Sequence, residues 1–310
     1  MLETFDKERL ATAGPRDLSD VLERGGIVYL PQCPVPLPDE ADLDIMRGQL
    51  PGAITRKNVS YHPEADSVRG LDRKSPLYPA TCRALTGLRT AVADWTRRAM
   101  PDLLRDADIG TCSFRPMEEA GRAIDARKAS ELIHVDAGAY GATNGNRILR
   151  FLVNVNPDRD RVWASKGSFE AVFGRYAAQA GFTGPGGRVG RLDRNALDEL
   201  LSALLRGVGI LVPLAKVLDT SPYDRAMKRF HDFLKESAKF QNDMEHHVEM
   251  RFAPYSAWMV FADGVSHGCV SGQHCFIWTA LTPLANAHFP GLAPLNILKA
   301  TKAGTGLQRG

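Results

Sequence analysis

Three side chains in this sequence could hold one divalent metal ion: His134, Asp136 and His267. In an extended segment, residues two apart project to the same side, so His134-Val135-Asp136 offers an imidazole and a carboxylate together. A histidine arriving from far along the chain completes a 2-His-1-carboxylate set on one face of an octahedron. Three positions stay open, enough for a bidentate 2-oxo acid and O₂. That is the chemistry of a mononuclear iron(II) oxygenase with 2-oxoglutarate as cofactor and O₂ as co-substrate. His-x-Asp is common by chance, and its weight here comes from context. His267 follows a predicted strand at 257–261 and the Asp263-Gly264 turn, where a distant ligand is needed. The other histidines fit less well. His246 and His247 are adjacent and cannot share a site on a regular element. His231 falls on a helix among apolar neighbours and reads as a core or interface histidine. His62, His274 and His288 have no paired context.

A 2-oxo diacid also needs a cation for its far carboxylate, and an arginine fork suits it. About ten residues past His267 stands Ile277, so that position supplies none. The strand after His-x-Asp does. In 147–156, Leu149, Phe151, Val153 and Val155 alternate onto one face, and Arg150, Leu152, Asn154 and Asn156 onto the other. Arg150 is the first choice for the cofactor, with Asn154 beside it. Arg147 is the runner-up, on the opposite face of a regular strand.

The elements that must position these groups follow from periodicity. Helices are predicted at 17–24, 82–99, 195–206 and 221–241, the last opened by Ser221-Pro222 as N-cap and first-turn proline. Strands are predicted at 27–30, 110–115, 147–156, 257–261 and 273–281, with 31–38 a proline-rich turn region. The pattern reads as an α+β, mainly β chain: an antiparallel barrel or jelly roll buttressed by helices. One domain over 1–310 is expected, with mixed support to about residue 105, a core barrel over 106–285 and a tail over 286–310.

Composition narrows the class. The chain is 44% hydrophobic and 24% charged with a formal net charge of +3, and no basic block is interleaved with aromatics, so nucleic acid is not an expected partner. Five cysteines without a Cys-x-x-Cys pair argue against a disulfide framework or zinc ribbon and for a reducing cytoplasm. Neither a secretory signal nor a transmembrane run is expected. The apolar stretch 207–218 reads as buried against the barrel, with peripheral contact at a membrane surface as the rival reading.

Several separated motifs together resemble the 3-deoxy-D-manno-oct-2-ulosonic acid (Kdo) hydroxylase family. They are His-Val-Asp-Ala at 134–137, Arg-Ile-Leu-Arg-x-x-x-Asn-x-Asn-Pro at 147–157, Arg-Val-Trp at 161–163, Ser-Pro-Tyr-Asp at 221–224 and Ser-Gly-Gln at 271–273. Ser-Phe-Arg-Pro at 113–116 and Arg127-Lys128 also fit, and the likeness spans roughly 20–283. The resemblance implies a double-stranded β-helix (cupin-like) fold, iron(II) and 2-oxoglutarate, His134, Asp136 and His267 as ligands, and hydroxylation of an unactivated C–H, in the family at C3 of Kdo in Kdo-lipid A. Arg127, Lys128, Arg115, Arg161 and Trp163 are the candidate contacts to a small-molecule or lipid-linked sugar acid. The sequence departs from the family at Gly138-Ala139-Tyr140 and at Ile277-Trp278, positions that bear on the substrate. Two alternatives stand beside this reading. One is a related 2-oxoglutarate oxygenase turned to a natural-product or amino-acid intermediate. The other is a cupin-like metal hydrolase or sugar-binding protein without 2-oxoglutarate chemistry.

Overall fold

The structure is a computed structural model that describes residues 1–54, 57–119, 121, 129–138, 142–211 and 219–304; the side chains of 204 and 206–211 are left aside. Two β-sheets face each other, with helices on both outer sides. The larger sheet has the order β1-β2-β9-β6-β11-β5-β3-β4. Its strands are β1 (Leu2–Thr4), β2 (Ile27–Leu30), β3 (Val59–His62), β4 (Ser67–Arg69), β5 (Asp108–Arg115), β6 (Arg147–Asn154), β9 (Ala257–Phe261) and β11 (Cys275–Thr282). The smaller sheet is β10-β7-β8, built from β7 (Arg161–Ser165), β8 (Val248–Phe252) and β10 (Gly268–Ser271). Every pair is antiparallel except β1 with β2.

The alternation of β6 explains the layering. Leu149, Phe151, Val153 and Val155 pack outward into a core shared with helices α2 (Asp17–Glu23), α3 (Glu40–Gly48) and α5 (Tyr78–Ala99). Leu152, on the other face, joins Trp163, Phe252, Trp258, Cys275 and Ile277 between the sheets. On the far side of the small sheet, α6 (Phe169–Tyr176), α8 (Pro222–Glu236) and α10 (Pro294–Lys302) bury Phe173, Phe230, Leu234 and Leu298 with Val135. Two apolar layers thus cover the outer faces of the sheets and a third lies between them, beside the polar residues described below. The remaining helices are α1 (Lys7–Thr12), α4 (Leu50–Ala53), α7 (Ala196–Leu211) and α9 (Ala238–Asn242).

The periodic segments fall close to expectation, with instructive differences. The helix expected over 221–241 is two. Ser237 ends α8 in an extended conformation, and its Oγ accepts from Phe240 N to start α9. The expected capping holds: Ser221 and Asp224 form a reciprocal capping box with Pro222 in the first turn. Helix α5 begins four residues earlier than predicted, at Tyr78 with Pro79 in its first turn. The segment treated as a tail carries α10, which buries Ile297 and Leu298. The N-terminal support supplies four strands to the large sheet. Among the described residues no helix is long and apolar enough to cross a membrane. All five cysteines are free.

Candidate metal centre

His134 and His267 meet across one antiparallel bridge, His134 N donating to His267 O at 2.9 Å and His267 N to His134 O at 2.7 Å. Asp136 N donates to Ala262 O at 2.8 Å, one residue past β9, so the segment carrying two candidate ligands runs from the edge of β10 in the smaller sheet to the end of β9 in the larger one. The turn expected at Asp263-Gly264 delivers His267. Asp263 accepts from Arg147 Nε at 2.7 Å and from Ile148 N at 3.0 Å, and Arg147 also lies over the Phe261 ring. A Cβ on Gly264 would stand 2.2 Å from Arg147 Nη2, so any larger residue there must displace the end of the buried guanidinium.

One atom from each of His134, Asp136 and His267 lies within 4.8 Å of the others, the grouping able to share a cation among the described residues. His134 Nε2 is 3.6 Å and His267 Nε2 4.0 Å from Asp136 Oδ1. Each Nδ1 faces a carbonyl, Leu132 O at 2.7 Å for His134 and Val265 O at 2.9 Å for His267. A carbonyl only accepts, so the proton sits on Nδ1 and the Nε2 lone pairs point into the site. Burial holds both imidazoles neutral: it pushes His134 down to about 3 and lowers His267, against the pull of Asp136. Burial would raise Asp136, but Arg150 and the two histidines outweigh it and hold its carboxyl well below the usual range. Asp136 Oδ2 is buried with no hydrogen-bond partner. Two neutral nitrogen donors and one carboxylate with spare lone pairs are the donor set a divalent iron takes, so the residues fit the metal.

Aromatic rings brace both imidazoles. Trp163 stacks on His267, with centroids 5.0 Å apart at 17°, and His231 meets His134 edge-on at 4.9 Å. His231, expected as a core or interface histidine, stands beside a candidate ligand. Lys235, one turn further along α8, joins the site without any expectation from the sequence. It is buried, its ammonium is pushed down by burial, and it interacts with Asp136. His231 and Lys235, spaced i and i+4, interrupt the apolar side of α8, which was the available signal.

The other predicted residues divide clearly. Arg150 lies at the centre: its Nη2 is 2.7 Å from Asp136 Oδ2, an ion pair outside hydrogen-bond geometry, and its buried Nε has no partner. Thr279 stands opposite it on β11. Arg147 is not brought to the ligands; it is committed to Asp263. Asn154 is also committed elsewhere, its Nδ2 donating to Arg159 O and Phe252 O and its Oδ1 accepting from Asn156 N. Arg161 is buried, donates to Gly272 O at 3.1 Å and lies 3.5 Å from Glu119. Arg115 donates to Glu119 at 2.8 Å and keeps a buried Nε without a partner. Lys57, 3.4 Å from Glu119, joins them. Burial would raise Glu119, but Arg115, Lys57 and Arg161 outweigh it and hold the carboxyl below its ordinary value. Trp163 serves the His267 ring. Arg127 and Lys128 lie outside the described residues, as do Ala139 and Tyr140 and most of the apolar stretch 207–218.

Comparison with known proteins agrees with this geometry. No curated protein sequence matches the chain. Solved structures of KdoO, a Kdo hydroxylase and non-haem Fe(II) alpha-ketoglutarate-dependent dioxygenase, match along its length at 26% identity. The complex with alpha-ketoglutarate and Fe(III) gives a TM-score of 0.75, covering 99% of this chain and 97% of that one. The apo form gives 0.77 with the same coverage. The complex with succinate and Fe(III) gives 0.75, covering 100% and 98%. The sequence profile of 3-deoxy-D-manno-oct-2-ulosonic acid (Kdo) hydroxylase matches residues 6–304. The chain therefore belongs to the Kdo hydroxylase family.

Proposed function

We propose that the chain is an Fe(II)- and 2-oxoglutarate-dependent dioxygenase that hydroxylates an unactivated C–H of Kdo in a Kdo-bearing glycolipid. The observation that carries this is the convergence of His134, Asp136 and His267, with their Nε2 atoms turned inward and Arg150 beside the carboxylate. KdoO, similar over nearly its full length, is described in complexes with alpha-ketoglutarate, succinate and Fe(III), the co-substrate, its decarboxylation product and the metal of such a reaction.

When bound, the iron and 2-oxoglutarate supply O₂ activation coupled to decarboxylation. The chain's residues do the rest. The Nδ1–H donations to Leu132 O and Val265 O fix the two imidazoles, and Asp136 offers Oδ1 toward them while Arg150 holds Oδ2. Arg150 receives the far carboxylate of the keto acid through its unpartnered edge. Trp163, Trp258 and Ile277 keep the neighbouring wall dry. Arg115 and Lys57 exceed the charge of Glu119 and form the cationic rim we assign to the sugar acid's carboxylate. Arg161 and Trp163 support the site from behind. The first support for a single catalytic unit over 1–310 is that β1 to β4 pair into the same sheet as β5, β6, β9 and β11. We place the reaction on the cytoplasmic side of the inner membrane, where the exposed Leu197, Leu200 and Leu201 of α7 offer an apolar contact to the lipid surface.

The test is incubation with Kdo-lipid A under Fe(II), 2-oxoglutarate and O₂. A glycolipid product heavier by one oxygen, with succinate formed in equal amount, is expected. Succinate formation that no Kdo-bearing acceptor stimulates contradicts the substrate, and absence of any 2-oxoglutarate consumption contradicts the reaction class.

A further inference from the structure

Among the described residues, the extended segment that carries two of the three ligands has backbone partners along one edge. His134 pairs with His267, and Asp136 N with Ala262 O. In extended chain, alternate residues turn their N–H and C=O to opposite edges, so Ile133 and Val135 face away from those partners. Among the described residues no strand lies there. Instead, the Gln241 side chain accepts from Ile133 N at 3.1 Å and donates to Ile133 O at 2.9 Å, reproducing both bonds of a strand partner with one amide. Two residues further on, His231 Nδ1 lies 2.7 Å from Val135 O, which as a carbonyl accepts its proton.

We propose that Gln241 and His231 are positioning residues for the metal centre: together they act as a surrogate strand that holds His134 and Asp136 in register with His267. The inference rests on the metal-binding reading of those three residues. Gln241 is itself anchored. Its Nε2 also donates to Leu234 O near the end of α8, at 2.8 Å. The buried Lys166, at the end of β7, bonds the carbonyls of Phe240, Gln241 and Asp243, fixing α9 against the smaller sheet. The break between α8 and α9 at Ser237 brings Gln241 round to Ile133. His231 adds a second constraint, because its ring edge bears on the His134 imidazole. Both residues bond backbone on the ligand segment, and neither is within the ligand set, so their effect falls on how the ligands are held.

Co(II) is the probe, titrated into the metal-free full chain and followed by its visible absorption, with the melting temperature of each metal-free variant measured beside it. Gln241→Leu removes all three amide bonds, and His231→Phe keeps the ring against His134 but loses the donor. Each is expected to raise the Co(II) Kd by about 10- to 100-fold, the usual range for outer partners of metal ligands. His231→Asn, which restores an N–H near the position of Nδ1, is expected to recover most of that loss. Should Gln241→Leu fail to fold, Gln241→Glu, which cannot donate when ionised, carries the same test. Parental Co(II) affinity and spectrum in the Gln241 and His231→Phe variants, whatever happens to their melting temperatures, overturn the proposal. A parent chain that binds no Co(II) overturns the metal-site reading instead.

Discussion

Arg150 and Asp136 form an ion pair at the heart of the site, Nη2 to Oδ2 at 2.7 Å, while the other carboxylate oxygen faces the two imidazoles. The pair explains how a carboxylate this buried stays ionised. It also leaves the buried Arg150 Nε without a hydrogen-bond partner, a donor that would be available to the far carboxylate of 2-oxoglutarate.

Replacing Arg150 is expected to weaken cofactor binding in the Fe(II)-loaded chain, where the bound metal would take over the compensation of Asp136. Losing a charge-assisted contact costs about 1.5–3 kcal/mol, or roughly 10- to 100-fold. Arg150→Met should therefore raise the KM for 2-oxoglutarate by about that factor in a succinate assay, with the circular dichroism spectrum of the parent. An unchanged KM would remove Arg150 from the cofactor site.

Arg147 predicts the opposite split. Its guanidinium and the Asp263 carboxylate are both buried, and truncating one partner leaves an uncompensated charge. Arg147→Met is expected to cost about 3–5 kcal/mol in urea unfolding. The KM for 2-oxoglutarate of the surviving folded fraction should stay near the parental value. A large rise in KM with no loss of stability would show that Arg147, and not Arg150, meets the cofactor.

His274 gives the chain an acid-side sensitivity. Burial, helped by Arg47, pushes its imidazole down to about 4 in the folded state, against about 6.5 when unfolded. Between those values the unfolded chain binds a proton that the folded chain does not. This group's contribution is complete above about pH 6.5 and falls away as the pH drops toward 4. Allowing for solvent screening, the loss is on the order of 1–2 kcal/mol. His274 has φ of +59°, a conformation asparagine tolerates, so His274→Asn should fold and lose that much less stability between pH 7 and 4.5. Equal losses in parent and variant would contradict the assignment.

How much of this was legible in the sequence depended on periodicity. The alternation in 147–154 placed Leu149, Phe151 and Val153 outward and Leu152 inward, as found. The convergence of His134, Asp136 and His267 is legible because a strand, a turn and a histidine stand in order before residue 268. Strands β1, β3, β4, β7, β8 and β10 are not among the predicted strands. All five residues of β7 are buried, so its sequence shows no alternation. The roles of Arg147, Asn154 and Arg161 were not legible either. Strand phase says which way a side chain leaves the backbone, but not that Asp263, Phe252 O or Gly272 O waits to bond it. Gln241 and His231 escaped for the same reason: their partners are backbone atoms more than 90 residues away in the chain.

The most direct test of the account is metal stoichiometry. Protein purified anaerobically and loaded with Fe(II) is expected to hold one iron per chain, and His134→Ala, Asp136→Ala and His267→Ala should each lose that iron while remaining folded. One iron per chain at parental affinity in any of the three would take that residue out of the ligand set and contradict the central claim.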